Sequence, residues 1–172
     1  MKKLIIAIIV ISFCSSCKTK KHEYEANVKT FQNLISQMNQ YFTDDTISNI
    51  DINEYYSEDF IFYSYPALHK KGIATTKIDY INGFNEMKKM NMSISIDHSI
   101  YLPGLDERTH KIDGSVRVYY GATISIDTNY VDFSGYQTIN FLEGKIVAIW
   151  EWADYGGVDN QLTQFLKTGT IH

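Results

Sequence analysis

The chain has 172 residues, with 16 Lys and Arg against 20 Asp and Glu, two prolines, two cysteines and 44% hydrophobic residues. That length accommodates one domain with a self-sufficient core and no second catalytic domain. A formal net charge of −4 and a pI near 5.7 give no basic footprint for a phosphate backbone, which sets nucleic acid aside as a partner.

Met1-Lys2-Lys3 followed by the apolar run Leu4 to Ile11 has the charged head and short apolar core of a signal peptide. The run is well below the roughly 20 residues that a helix needs to cross a bilayer. Ser15-Ser16-Cys17 after it resembles the lipobox of bacterial lipoproteins, in which the cysteine is acylated and becomes the mature N-terminus. Cys14 fits less well, because Phe13 before it is bulky, and Cys17 departs from the pattern only in having Cys14 where Leu or Val is usual. The alternative is a plain secretory peptide with incidental cysteines. The resemblance implies a signal peptide over 1–16, a lipidated tether over 17–24, a domain over 25–167 and a tail over 168–172. It implies anchoring of the protein to the cell envelope by lipid on Cys17. Cleavage there removes Lys2 and Lys3 and leaves 14 basic against 20 acidic residues. It also leaves the mature domain without a disulfide, a thiolate nucleophile or a cysteine-ligated metal. The polar Lys18 to Glu25 reads as a solvated spacer.

Val28, Phe31, Leu34, Ile35, Met38, Tyr41 and Phe42 recur at threes and fours, which predicts an amphipathic helix over Tyr24–Phe42, broken by Asp44-Asp45-Thr46. A short helix is expected over Ile50–Tyr56 and a strand over Phe60–Ser64, ended by Pro66. Thr76 and Asp79 form a short version of a capping box for a helix running to about Met90, with Ile78, Ile81, Phe84 and Met87 inward. Lys88 and Lys89 suit its C-terminal dipole. Strands follow over Ser93–Tyr101, Lys111–Thr128, Asn129–Leu142 and Lys145–Trp152, the last two joined by a Glu143-Gly144 turn. Alternation places His98 with Ile94, Ile96 and Ile100, and Tyr120 with Val116 and Val118.

This order of elements, the stretch from Gly135 to Val158 with its Glu143-Gly144-Lys145-Ile146-Val147 turn, the Gln161-Leu162 pair and the segment Tyr55-Tyr56-Ser57-Glu58-Asp59-Phe60 resemble the SnoaL-like branch of the nuclear transport factor 2-like superfamily. The resemblance implies an α+β fold in which a curved antiparallel sheet wraps N-terminal helices as a cone, with a cavity at its open end. Tyr41, Tyr55, Phe60, Phe62, His98, Tyr120, Trp150 and Trp152 are the expected lining, the alternative being that they fill a core. In ketosteroid isomerases and polyketide cyclases of this superfamily a cavity carboxylate, or a His/Asp pair, moves a proton beside a carbonyl. The resemblance therefore makes Asp154 the candidate acid or base, His98 the candidate relay, and Tyr55 and Tyr120 candidate hydroxyl donors.

Gly-x-Ser-x-Gly, phosphate-binding glycine loops, His-Glu-x-x-His and Cys-x-x-Cys do not occur. His22, His69 and His110 are scattered without ligand spacing, so no metal or other cofactor is implied. Three functions remain: a binding module for a small apolar or aromatic ligand, a proton-shuttling isomerase or cyclase, and an envelope module that pairs with a second copy through its sheet.

Overall fold

In the computed structural model the backbone is described over residues 2–168, and side chains over 20–165 and at Lys167. The Cys17 side chain and residues 169–172, most of the expected tail, lie outside the described residues. Helix α1 spans Lys2–Thr43, so the expected spacer is helical and continuous with the first helix of the domain. Lys20–Glu23 and Lys21–Glu25 pairs lie along it, each worth a few tenths of a kcal/mol on an exposed helix (about 0.2–0.5), and His22 lies 3.3 Å from Glu25. Packing begins at Tyr24 and Asn27, whose amide donates to the Gly114 carbonyl at 2.9 Å. Phe31, Leu34, Met38, Tyr41 and Phe42 are then buried at the expected spacing. The Asp44 carboxylate ends the helix by accepting from the Thr46 amide and hydroxyl at 2.9 and 2.6 Å.

The helix expected over Ile50–Tyr56 is absent. Asn, Asp and Glu between its apolar residues favour turns, and Ile50, Ile52 and Tyr55 are buried as anchors of a connection instead. Strand β1 (Tyr56–Ser64) is followed by β2 (Ile73–Thr76), a short edge strand without a sequence signal, and by α2 (Lys77–Lys89). Thr76 caps α2, accepting from the Asp79 amide while its hydroxyl donates to the Asp79 carboxylate at 2.7 Å. Ile78 is 70% exposed, correcting its expected inward place, which Lys77 and Tyr80 take beside Phe84. Lys88 does more than suit its own helix. Its ammonium donates to the carbonyls of Tyr41, Asp44 and Ile47 at 2.5, 2.8 and 3.0 Å and lies over the Tyr41 ring, so it closes the C-terminus of α1.

Strands β3 (Met92–Leu105), β4 (Ile112–Ile126), β5 (Asn129–Leu142) and β6 (Lys145–Ala153) complete a sheet of order β2-β1-β6-β5-β4-β3, antiparallel except where β1 meets β6. Glu143 and Gly144 take φ of +52° and +76°, the backbone of the expected tight turn. The sheet is curled and unclosed, with α1 and α2 on its inner face against Val116, Val118, Ile139, Ile149 and Phe60. A further helix, α3 (Tyr155–Thr168), follows β6 where a small-residue bend was expected.

Two β-bulges set which side chains face inward. Pairing steps from Ile96–Ala122 to His98–Gly121, making Asp97 an extra residue in β3. It steps from Phe141–Ile146 to Asn140–Ala148, making Val147 an extra residue in β6. Each insertion inverts the alternation beyond it. Among the described residues no helix is long and apolar enough to cross a membrane.

Candidate functional site in the cone

Beyond the Val147 bulge the residues of β6 that face the helices are Ile149, Glu151 and Ala153. Glu151, paired in register with Gln137, is half-buried and turns its carboxylate to the helix side of the sheet. Its Oε2 accepts from the Tyr120 hydroxyl at 2.8 Å and from the buried Gln137 amide, and its Oε1 accepts from the Tyr155 hydroxyl at 2.6 Å. No lysine, arginine or histidine is paired with Glu151 among the described residues. Three neutral donors therefore hold one anionic group, in an arrangement of charge-assisted bonds.

Each donor has a structural reason for its place. Tyr120 fits because residue 135 is glycine: a Cβ there would lie 2.4 Å from the Tyr120 hydroxyl oxygen and ring. Phe133 meets the Tyr120 ring edge-on at 6.2 Å. Tyr155 opens α3, whose first turn is capped by Asp154, with its carboxylate accepting from the Gly157 amide at 2.9 Å. Burial, and then the charge of Glu151, push the Tyr120 and Tyr155 hydroxyls far above the ordinary phenol range, so both stay protonated as donors. Tyr80, raised by burial first, adds a third phenol within the field of Glu151. Its ring stacks on Phe62 at 4.7 Å and leans on Phe60 and Tyr56. Adjoining the cluster at Tyr155, a groove of about 470 Å³ runs between Pro66 and α3, lined by Tyr155, Gly156, Val158, Asp159 and Leu162.

The expected site residues divide cleanly. Tyr120 sits on the carboxylate, and Phe60 and Phe62 face inward onto Tyr80. Tyr41 and Tyr55 are buried elsewhere: Tyr41 donates to Asn85 under Lys88, and Tyr55 packs where the connection enters β1. Four inward placements are corrected. His98 is exposed, because the Asp97 bulge turns it onto the outer face of the sheet, into an open groove with Asp97, Thr123 and Asp132. Trp150 and Trp152 are turned outward by the Val147 bulge. Trp150 stacks on Tyr63 at 5.6 Å, and Trp152, 42% exposed, stacks on Tyr65 at 4.6 Å and adjoins Tyr136. Asp154 is exposed and serves as a helix cap. Glu151 itself was missed. Its signal was the odd positions of β6, a charged residue between two tryptophans.

Solved structures of similar shape include a phenazine biosynthesis-related protein from Pseudomonas aeruginosa (14% identity, TM-score 0.56, covering 85% of this chain and 88% of that one). An NTF2-like protein from Burkholderia xenovorans LB400 matches at 12% identity and TM-score 0.55, over 79% of this chain and 95% of that one. A protein assigned as a SnoaL-like polyketide cyclase from Jannaschia sp. CCS1 matches at 14% identity and TM-score 0.53, over 79% and 90%. The fold is nuclear transport factor 2-like. No protein-family model matches the sequence, and no curated protein matches it either. At these identities the likeness extends to the fold alone. Within that nuclear transport factor 2-like cone, the chain's own arrangement is Glu151 held by two phenols and an amide beneath α3.

Proposed function

We propose that the chain is a lipid-anchored, extracytoplasmic domain that binds a small, largely apolar ligand at the mouth of its cone. The observation that carries this is the Glu151 cluster, a few hydrogen-bonding groups converging inside aromatic walls beside an open groove. The test is native mass spectrometry of the chain extracted in mild detergent from its host's envelope fraction. A small-molecule adduct is expected on the wild type and absent from Glu151→Ala, and a wild-type chain that carries none refutes the reading. The anchoring half rests on the Ser15-Ser16-Cys17 segment, and Cys17→Ala is expected to release the protein from membranes. Retention of that variant on washed membranes counts against it.

A second reading, proton transfer beside a carbonyl, is supported by a carboxylate flanked by two protonated phenols. In this reading Glu151 takes the role that the sequence assigned to Asp154. Exchange of deuterium from solvent into the α-position of a test ketone such as α-tetralone would then be accelerated by the wild type and lost in Glu151→Gln. The outward row Ile100, Tyr119, Tyr136 and Trp152 across four strands, continued by Tyr65 just after β1, supports pairing of two copies through their sheets, which light scattering on wild type and Trp152→Glu tests.

A further inference from the structure

Glu151 is half-buried and is held by neutral donors alone among the described residues. An anionic group inside a protein is ordinarily paired with a cation, because neutral donors alone replace only part of its lost hydration. Here Oε2 has two donors but Oε1 has one, the Tyr155 hydroxyl, which comes from the first turn of a helix rather than from the sheet. The walls are electron-rich rings: Tyr120 with Phe133, and Tyr80 with Phe62. The groove that leads to Tyr155 has an acidic residue, Asp159, and, among the described residues, no basic one, and the chain as a whole is anionic.

We propose that the ligand of the cone mouth is a protonated organic amine, whose ammonium takes the place of the Tyr155 hydroxyl on Glu151 while its apolar body lies in the groove between Pro66 and α3. This rests on the ligand-binding reading above and adds the chemical class. An ammonium supplies the missing countercharge, its remaining face meets aromatic rings that attract cations, and the acidic mouth raises its local concentration. A carboxylate or phosphate ligand meets repulsion at both Asp159 and Glu151. The Tyr155 hydroxyl donates to the same Oε1, so it competes with the incoming donor.

The test is calorimetric titration of the full chain in non-ionic detergent near neutral pH with three probes of one shape: phenethylamine, 2-phenylethanol and phenylacetate. The amine is expected to bind at least about tenfold more tightly than the alcohol, the value of one charge-assisted bond over a neutral one, and phenylacetate is expected not to bind. In Glu151→Gln the preference for amine over alcohol is expected to vanish. This ratio, taken within one variant, is insensitive to a general loss of folded protein. Tyr155→Phe is expected to strengthen amine binding several-fold by removing the competitor. Equal binding of amine and alcohol by the wild type, or a preference that survives Glu151→Gln, overturns the amine class and leaves the ligand-binding reading standing. Absence of binding by all three overturns both.

Discussion

Gly135→Ala tests whether the carboxylate cluster is built on a steric allowance in the sheet. The new methyl carbon would lie 2.4 Å from the Cζ and hydroxyl oxygen of Tyr120 and 2.6 Å from its Cε1, so the ring must move. Tyr120 is buried, flanked by Phe133 and tied to Glu151, and its movement forfeits the 2.8 Å bond. Overpacking costs about 1–3 kcal/mol, and a hydrogen bond to a charged group contributes about 1.5–3 kcal/mol. Partial relaxation brings the expected loss to about 3 kcal/mol. With a urea dependence of about 2 kcal/mol per molar, the unfolding midpoint followed by circular dichroism should fall by about 1.5 M. The decisive comparison is Gly135→Ala in a Tyr120→Leu background. With no phenol to displace it should cost below about 1 kcal/mol, giving a coupling of about 2 kcal/mol. Equal costs in the two backgrounds would refute the account of Tyr120 lying over Gly135.

Three further outcomes follow from the same contacts. Lys88→Met leaves three carbonyls, Tyr41 in the last turn of α1 and Asp44 and Ile47 in the loop after it, without their donor and should destabilise the protein by about 2–3 kcal/mol, with Lys88→Arg recovering part of it; a loss below about 0.5 kcal/mol by urea unfolding would show that water replaces the ammonium freely. Asp154→Ala should cost about 1 kcal/mol as a lost helix cap and leave the amine preference unchanged, whereas abolished binding with an intact fold would restore Asp154 to the site. Tyr56, Tyr80, Tyr120 and Tyr155 have folded-state affinities for their protons raised by burial above the ordinary phenol value near 10. Their contribution to stability is complete below about pH 10 and declines as pH rises beyond it, because the unfolded chain ionises first. Absorbance titration should show part of the 13 tyrosines ionising only with unfolding, and smooth ionisation of all of them in a folded chain would contradict this.

The sequence was most legible where one periodicity ran unbroken. Phe31, Leu34 and Met38 declared the buried face of α1, Glu143-Gly144 declared the β5–β6 turn, and β4, with Val116, Val118 and Tyr120 in step, disclosed the inward place of Tyr120, which bonds to Glu151. Legibility failed where a bulge reset the count. Ile94 and Ile96 lie inward as alternation requires, but one extra residue at Asp97 sends His98 out and brings Tyr101 in against Phe31. In β6 the sequence is apolar on both faces, so nothing in Ile146 to Trp152 marks Val147 as surplus. The aromatic pair then looks more interior than the glutamate. Position α3 was obscured by Gly156-Gly157, which suggest a bend. Asp154 caps the helix across them, and a Cβ at residue 157 would collide with its carboxylate.

The break in β3 has one more consequence. This 14-residue strand is last in the sheet, and a strand so placed offers its free amides and carbonyls to any other extended chain. At Ile96, beside the bulge, those groups are already engaged: the Asn39 side chain of α1 accepts from the Ile96 amide and donates to its carbonyl, both at 3.1 Å, as a neighbouring strand would. A single helical asparagine thus imitates one rung of a seventh strand. Together with the kink at Asp97 it divides the open edge into two short lengths, neither of which suits the long, straight pairing on which chain-to-chain aggregation depends.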